Sequence, residues 1–299
     1  MSPVSQKSDP PVMLWCHPRS VSSAFERAFI ERKNEFHCFH EPFADPYYFG
    51  PDRVSDRHKE DLPSSTSSSL SEDTNNNSNE NQPSFKNVSE MIMADYWIDP
   101  KTDEIINSEI TEAQKLRVFV KDMAFYGILD SQGNSKERKP KLPLKQVVNT
   151  FLIRDPKKSV VSFYKASISE STGWGYFDPK EMGYKELREL FDYVTKELDQ
   201  PAIVVDADDL CDNPAKVMET YCDSIGVRFV ETMVEWKPSK VHQFSKWQGW
   251  YDTLQNSSGL GKVEKAPTAD LSEFPDIVRN TIEQNLSHYN YLKQFCINT

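Results

Sequence analysis

The chain has 299 residues, with 35 Lys and Arg against 46 Asp and Glu for a formal charge of −11, and 37% hydrophobic and 12% aromatic residues. Domains usually run to about 100–200 residues, so this length holds one large domain or two small ones, with a core that needs no staple. So negative a charge excludes nonspecific nucleic-acid binding, which needs a basic footprint, and leaves any anionic ligand to a local cluster of positive groups. No apolar run approaches the roughly 18 residues of a membrane span, and Met1–Pro11 lacks the apolar segment of a secretory signal. The cysteines Cys16, Cys38, Cys211, Cys222 and Cys296 are odd in number and scattered, with no C-x-x-C pair. That pattern supports neither a disulfide framework nor a zinc site, and a reducing, cytoplasmic setting is the expectation.

In chain order, residues 1–11 read as a flexible N-terminus and residues 12–299 as one domain. Five short apolar runs read as strands: Val12–Cys16, Glu35–Phe39, Arg117–Val120, Val147–Ile153 and Ala202–Asp206. Most lack polar alternation, as strands buried on both faces do. Between them Ser22–Arg32 and Tyr184–Leu198 have helical character, and Ala269–Phe295 carries Ile277, Ile282, Leu286 and Tyr289 at the spacing of a closing helix. Strands alternating with helices predict an α/β protein of three layers around a mostly parallel sheet, with its ligand at the carboxyl ends of the strands. One segment is foreign to this scheme. Ser64–Gln82 reads SSTSSSLSEDTNNNSNENQ, too poor in apolar surface to offset its ordering entropy, and is expected to be a disordered surface insertion. Ser131–Pro143, with its Lys, Pro and Gly, is a second expected loop.

The strongest local signal is Val12–Phe29, VMLWCHPRSVSSAFERAF, an apolar strand that runs through Pro18, Arg19, Ser20, Val21, Ser22 and Ser23 into a helix. A strand–loop–helix turn aims backbone N–H groups and a helix dipole at one point, which is an anion site. Arg19 adds fixed charge and the serines add hydroxyls. An ordinary loop with capping serines is the plainer alternative. The segment lacks the glycine and lysine of G-x-x-x-x-G-K-[ST], and a C-x5-R phosphatase loop would need arginine where Ser22 stands. A second constellation, Phe151–Tyr164, FLIRDPKKSVVSFY, ends a strand with Arg154 and opens a helix bearing Ser159 and Ser162. Arg154 and Ser162 are spaced to converge on one anion at the helix start, and the two loops together suit a nucleotide with phosphates at both ends.

On these residues the chain resembles the sulfotransferases that use 3′-phosphoadenosine-5′-phosphosulfate, and more narrowly the sulfotransferase-like P-loop proteins whose first motif is H-P-R-S-x-S-T-A. His17 through Ala24 matches that pattern almost throughout, and Arg154 and Ser162 match the R-[ND]-P-x5-S motif. The stretch Ala207–Pro214, ADDLCDNP, is similar to the family's Y-E-D-L-x-x-N-P. The resemblance implies a three-layer P-loop nucleotide-binding fold, with the first loop on the 5′-phosphosulfate and Arg154 with Ser162 on the 3′-phosphate. It implies that nucleotide as co-substrate, its bisphosphate as product, no metal, and a small-molecule acceptor as partner. A homodimer is a further expectation; nucleic acid and membrane are not expected partners. The chain departs from the family at Val21, where many members have glycine, and at Ala207, where tyrosine is usual. Lys121-Asp122-Met123 stands in place of a K-T-H motif whose histidine is the general base, and the late R-K-G motif is absent, with Lys262 in Asn256–Lys262 as a weak counterpart.

Sulfuryl transfer asks for an in-line acceptor, a place for its proton, and stabilisation of charge growing on the leaving phosphate. Arg19 suits the last task. Glu41, in His40-Glu41-Pro42-Phe43, leaves the second strand where some sulfotransferases place a catalytic glutamate, and is the first choice as base. The alternative is that it only pairs with Arg19 or Lys121 to set the pocket. Asp122 and His40 remain candidates, His40 the weaker because strand alternation aims it away from Glu41. Lys121 is expected to donate to the sulfate oxygens or to organise Glu41. The aromatic groups Tyr47–Phe49, Tyr96-Trp97, Phe125-Tyr126 and Trp247–Tyr251 fill the core or line a pocket for a small, partly apolar acceptor. Two other readings stay open: a P-loop kinase using ATP, with Asp206 toward Mg²⁺, and a nucleotide-binding protein that has lost catalysis.

Overall fold

The computed structural model describes residues 9–51, 53–59, 83–107, 113–126, 128, 140–201, 203–247, 249–261 and 270–298. The insertion expected over Ser64–Gln82, most of the loop expected over Ser131–Pro143, and Lys262 lie outside the described residues. In chain order the strands are β1 Val12–Cys16, β2 Phe36–His40, β3 Tyr96–Ile98, β4 Ile105–Ile106, β5 Gln114–Met123, β6 Val148–Ile153 and β7 Val204–Asp206. The helices are α1 Ser22–Ile30, α2 Ala44–Tyr48, α3 Phe85–Ile92, α4 Pro156–Ser167, α5 Tyr184–Asp192, α6 Ala207–Asp212, α7 Pro214–Ser224, α8 Asp252–Gln255 and α9 Asp276–Lys293. All five expected strands form, within three residues at their ends. The long helix expected over Tyr184–Leu198 is α5 followed by a π turn, Tyr193–Glu197.

Strands β1, β2, β5, β6 and β7 are parallel, and β5 pairs with β1 along one edge and with β2 along the other. The antiparallel β3 and β4, which the sequence reading did not include, extend the sheet beyond the early part of β5. They are only three and two residues long, too short for a periodic signal. Every residue of β1 is buried, which explains its unbroken apolar run. Neighbouring residues of β6 show the layering. Thr150 Oγ1 meets the Tyr221 hydroxyl of α7 at 3.0 Å, while the Phe151 ring packs edge-on against Phe191 of α5 at 5.3 Å. Successive side chains face opposite sides of a sheet, so α7 covers one face and α5 the other. Phe25 of α1 packs on Tyr221, and Phe29 stacks on Phe119 of β5 at 3.8 Å, which puts α1 on the α7 side.

The connections from β1 and β6 leave these neighbouring strands toward opposite edges of the sheet, β1 leading to β2 and β6 to β7. Between such strands the loops diverge and open a crevice at their carboxyl ends. The two motif loops, after Cys16 and after Ile153, flank that crevice.

Candidate active site

The first loop is held by an unusual backbone. Arg19 and Val21 have φ of 61° and 69°, a left-handed region that a β-branched residue rarely adopts. Val21 takes up the N-terminal position of α1 in this conformation, and no side chain caps the helix. The first N–H groups of α1 therefore face the crevice without an intrahelical acceptor. Ser20 is fully buried, and its hydroxyl makes no hydrogen bond.

His17 joins this loop to the second one. The Arg154 backbone N–H donates to His17 Nε2 at 3.1 Å, so the ring proton sits on Nδ1, which donates to the Pro18 carbonyl at 3.0 Å. The ring stacks on Tyr184 at 3.9 Å. Burial, reinforced by the Arg154 charge, pushes the His17 pKa down to about 3, so the ring is a neutral tie. Tyr184 completes the tie by donating to the Arg154 carbonyl at 2.6 Å.

The two arginines meet across it. Arg154 Nη1 donates to the Arg19 carbonyl at 3.0 Å, and Arg19 Nε donates to Ser162 Oγ at 2.9 Å. Arg19 Nη1 also reaches the Trp250 carbonyl at 3.3 Å. Arg154 and Ser162 were expected to converge on one anion; the observed partner of the Ser162 hydroxyl is Arg19, because nearly two turns of α4 carry it to the first loop. Arg154 Nε makes no hydrogen bond and stands 4.0 Å from Asp208, which Lys158 engages at 2.8 Å. Asp155 caps α4 through the Lys157 N–H, and Pro156 follows at the first helical position.

The third side of the crevice is the ends of β2 and β5. Glu41 is buried, with one oxygen on the Lys121 ammonium and the other accepting from the Tyr126 hydroxyl at 3.1 Å. Burial works against its charge, but Lys121, with His40 and Lys246 behind it, outweighs burial and holds the carboxyl down at about 2. Burial works against Lys121 too, and Glu41 outweighs it, so the ammonium is held above its usual range. Of the partners weighed for Glu41, the observed one is Lys121 and not Arg19.

Two expectations need correction here. Asp122 is fully buried between Lys121 and Met123, and its carboxylate accepts the Phe43 and Met123 N–H groups at 2.9 and 2.8 Å. Alternation along β5 turns it from the cavity that Lys121 and Met123 line, so it anchors backbone and reaches no acceptor. His40 does not point away from Glu41. Its Nε2 lies 3.7 Å from Glu41 Oε1, because Glu41 has left the strand with a φ of 47° and the alternation rule no longer applies.

All three sides border one cavity of about 930 Å³, lined by Pro18, Arg19, Val21, Ser22 and Ser23 of the first loop, by Arg154 and Ser162, and by Glu41 and Lys121. Buried Ser20 lies behind this lining. Beyond Glu41 the walls are aromatic: Tyr48, Phe125, Tyr126, Trp174, Trp247 and Trp250. The sequence reading did not single out Tyr184, Asp208 or Glu26 as site residues: Asp208 and Glu26 lie in segments it quoted, but only the fold shows that they face Lys158 and His40, and Tyr184 meets the Arg154 carbonyl across 30 residues with no motif to mark it. Asp206, weighed as a magnesium ligand, gives one oxygen to the Asp208 N–H and the other to Tyr289 and Lys293. Among the described residues no three His, Cys, Asp or Glu side chains cluster as metal ligands would, and no helix is long and apolar enough to cross a membrane.

Fold and site define a doubly wound α/β protein with two linked loops around one cavity at the carboxyl edge of its sheet. The chain belongs to the sulfotransferase domain family, whose sequence model matches residues 63–294. That match begins after the first loop, so Arg19 and its neighbours lie outside it. Two curated Arabidopsis thaliana proteins are similar in part. Branched-chain-amino-acid aminotransferase-like protein 2 is 28% identical over 163 residues, 53% of this chain and 27% of that protein. Branched-chain-amino-acid aminotransferase-like protein 1 is 26% identical over 144 residues, 48% and 24% of the two chains. The matches thus span about a quarter of each relative. Among solved structures, the sulfotransferase domain of the Synechococcus PCC 7002 olefin synthase aligns over 93% of this chain and 96% of that one, at 14% identity and a TM-score of 0.42.

Proposed function

We propose that this chain moves a sulfuryl group from 3′-phosphoadenosine-5′-phosphosulfate to a hydroxyl or amine of a small, partly apolar acceptor, without a metal. The observation that carries the reading is the convergence of Arg19 and Arg154 from two loops on one cavity, tied by the Arg154–Arg19 carbonyl bond and by His17.

The donor's chemistry fits the residues present. Ser20 Oγ and Arg154 Nε are buried and without hydrogen bonds, and unmet polar groups of this kind are costly unless a ligand completes them. The left-handed residues at the head of α1 present backbone N–H groups to an anion. On this reading Pro18–Ser23 and Arg19 hold the 5′-phosphosulfate, and Arg154 holds the 3′-phosphate, with Ser162 fixing Arg19 between them. When bound, the nucleotide supplies an activated sulfur and a phosphate leaving group. The protein supplies position and positive charge, the two largest contributions to transfer of this kind.

Lys121 is the cation nearest the strand-end wall, and Glu41 keeps it charged and in place. The aromatic walls suit a partly apolar acceptor, and the Trp247 and Trp250 indole N–H groups, which have no hydrogen-bond partner among the described residues, would offer it donors. Calorimetry tests the reading. Adenosine 3′,5′-bisphosphate is expected to bind without added metal and more tightly than ATP–Mg²⁺. Tighter ATP–Mg²⁺ binding would favour the kinase reading, and bisphosphate binding with no turnover on a broad acceptor panel would favour a binding protein.

A further inference from the structure

A chain of three polar groups runs from the interior to the cavity. Glu26 of α1 is fully buried, and its only hydrogen bond among the described residues is the one its Oε2 accepts from His40 Nδ1, at 2.6 Å. His40 is the last residue of β2. Its other nitrogen, Nε2, meets the Tyr251 hydroxyl at 2.8 Å. Tyr251 precedes α8 and lines the cavity. It follows Trp250, whose carbonyl Arg19 binds, so the phenol is fixed next to the first loop.

From this geometry we infer that Tyr251, backed by His40 and Glu26, receives the acceptor's proton. The inference rests on the sulfuryl-transfer reading above. A carboxylate facing Nδ1 keeps the proton there and leaves Nε2 to accept from the phenol, the orienting arrangement of carboxylate–imidazole–hydroxyl sites. The phenol oxygen then keeps a lone pair for the acceptor. In the step, the acceptor O–H gives its proton to Tyr251 while the phenol proton moves to His40 Nε2. The acceptor oxygen's electron pair forms the bond to sulfur of the phosphosulfate donor as the bridging S–O bond breaks, and that bond's electrons leave on the phosphate. The imidazolium so formed lies between Glu26 and Glu41.

Glu41 suits this task less well. Both of its oxygens are taken, by Lys121 and Tyr126. The charged and titratable groups around the relay are Glu26 on α1, Glu41 and Lys121 at the strand ends, Arg19 and Cys16 from the β1 side, and Cys38 within β2. Lys121 and Arg19 offset the carboxylates of Glu26 and Glu41 around the relay. Tyr251 is the catalytic residue of the three; His40 and Glu26 position it.

The test compares Tyr251→Phe and Glu26→Gln with wild type, using substituted phenols as acceptors, from the acidic p-nitrophenol, partly ionised near neutral pH, to unsubstituted phenol. A relay that takes a proton is needed most by the least acidic acceptor. Tyr251→Phe is therefore expected to lower turnover of phenol by about 10²–10³ and of p-nitrophenol by far less. Binding of adenosine 3′,5′-bisphosphate, read by calorimetry, is expected to stay within about threefold of wild type. In ¹⁵N-labelled protein the His40 Nε2 resonance is expected to shift in Tyr251→Phe, and the Nδ1 resonance in Glu26→Gln. Equal losses across the phenol series, or full turnover of phenol, would overturn the relay and leave the sulfotransferase reading intact. Failure of the wild type to bind the bisphosphate would overturn that reading and the relay with it.

Discussion

The strand-end wall and the loop rim of the cavity are both rich in charge, but they treat it differently. At the wall, Glu41 and Lys121 form a buried ion pair, and the carboxyl of Asp122, its pKa pushed up by burial, accepts two backbone N–H groups, so each has its partners inside the protein. At the rim, Arg19, Arg154 and Lys158 are partly exposed, and Ser20 Oγ and Arg154 Nε are left over. Charges satisfied by the protein hold the fold together, and removing one leaves its partner stranded. On the proposed reading, the polar groups left unsatisfied at the rim are completed by the nucleotide. Variants at the wall should therefore read out in stability, and variants at the rim in affinity and turnover.

The largest expected effect belongs to the wall. Glu41→Gln strands the Lys121 ammonium, and breaking a buried pair from one side costs about 3–5 kcal/mol. Chemical denaturation should show that loss; an unchanged midpoint would mean that Glu41 does not hold the wall. The acid response should change with it. Glu41 falls from an ordinary value of 4.5 to about 2 in the folded protein, so its stabilisation is complete above pH 4.5 and fades as pH falls toward 2. That component should be missing from Glu41→Gln.

At the rim, Arg19→Ala should lower turnover by about 10²–10³ with a much smaller change in stability, as loss of one preorganised charge-stabilising donor does. Steady-state kinetics on folded variant protein checks this, and a stability loss as large as that of Glu41→Gln would erase the distinction between the two regions. His17 sharpens the contrast, because it is a tie within the rim that behaves like the wall. Its pKa drops from 6.5 to about 3, so the unfolded chain takes up a proton that the folded one refuses. Stability should decline as pH falls from 6.5 toward 3, by up to about 1.4 kcal/mol per unit. His17→Asn should flatten that slope in thermal melts.

The smallest effect is expected at Val21. Glycine would relieve a left-handed valine, worth about 1–2 kcal/mol, but it would add entropy to the unfolded chain, about 0.4–1 kcal/mol, and lose the packing of the Val21 side chain. Val21→Gly should stay within about 1 kcal/mol of wild type in denaturation. A larger loss would mean that the loop needs the valine.

How much of this was legible in the sequence follows from how local each signal is. β1 is a run of five apolar residues, and its bounds were readable to the residue. The loop after it and the Arg154 segment carry their own motifs, so both loops that border the cavity were marked in the sequence. The orientation of His40 was misread because a single positive φ at Glu41 ended the alternation that the reading assumed. Glu26 and Tyr251 are separated from His40 by 14 and 211 residues, and although both lie in segments the sequence marked, nothing there shows that they meet His40. Trp247–Tyr251 reads equally as core or as pocket lining until the fold brings it against the first loop.

The central claim is that two loops make one site for a nucleotide charged at both ends. Its most direct measurement is the affinity of wild type and Arg154→Ala for adenosine 3′,5′-bisphosphate and for adenosine 5′-phosphate. Hydrogen bonds to charged groups are worth about 1.5–3 kcal/mol, so Arg154→Ala should weaken bisphosphate binding by roughly 10- to 150-fold and 5′-phosphate binding by far less. Equal losses for the two nucleotides would contradict the claim.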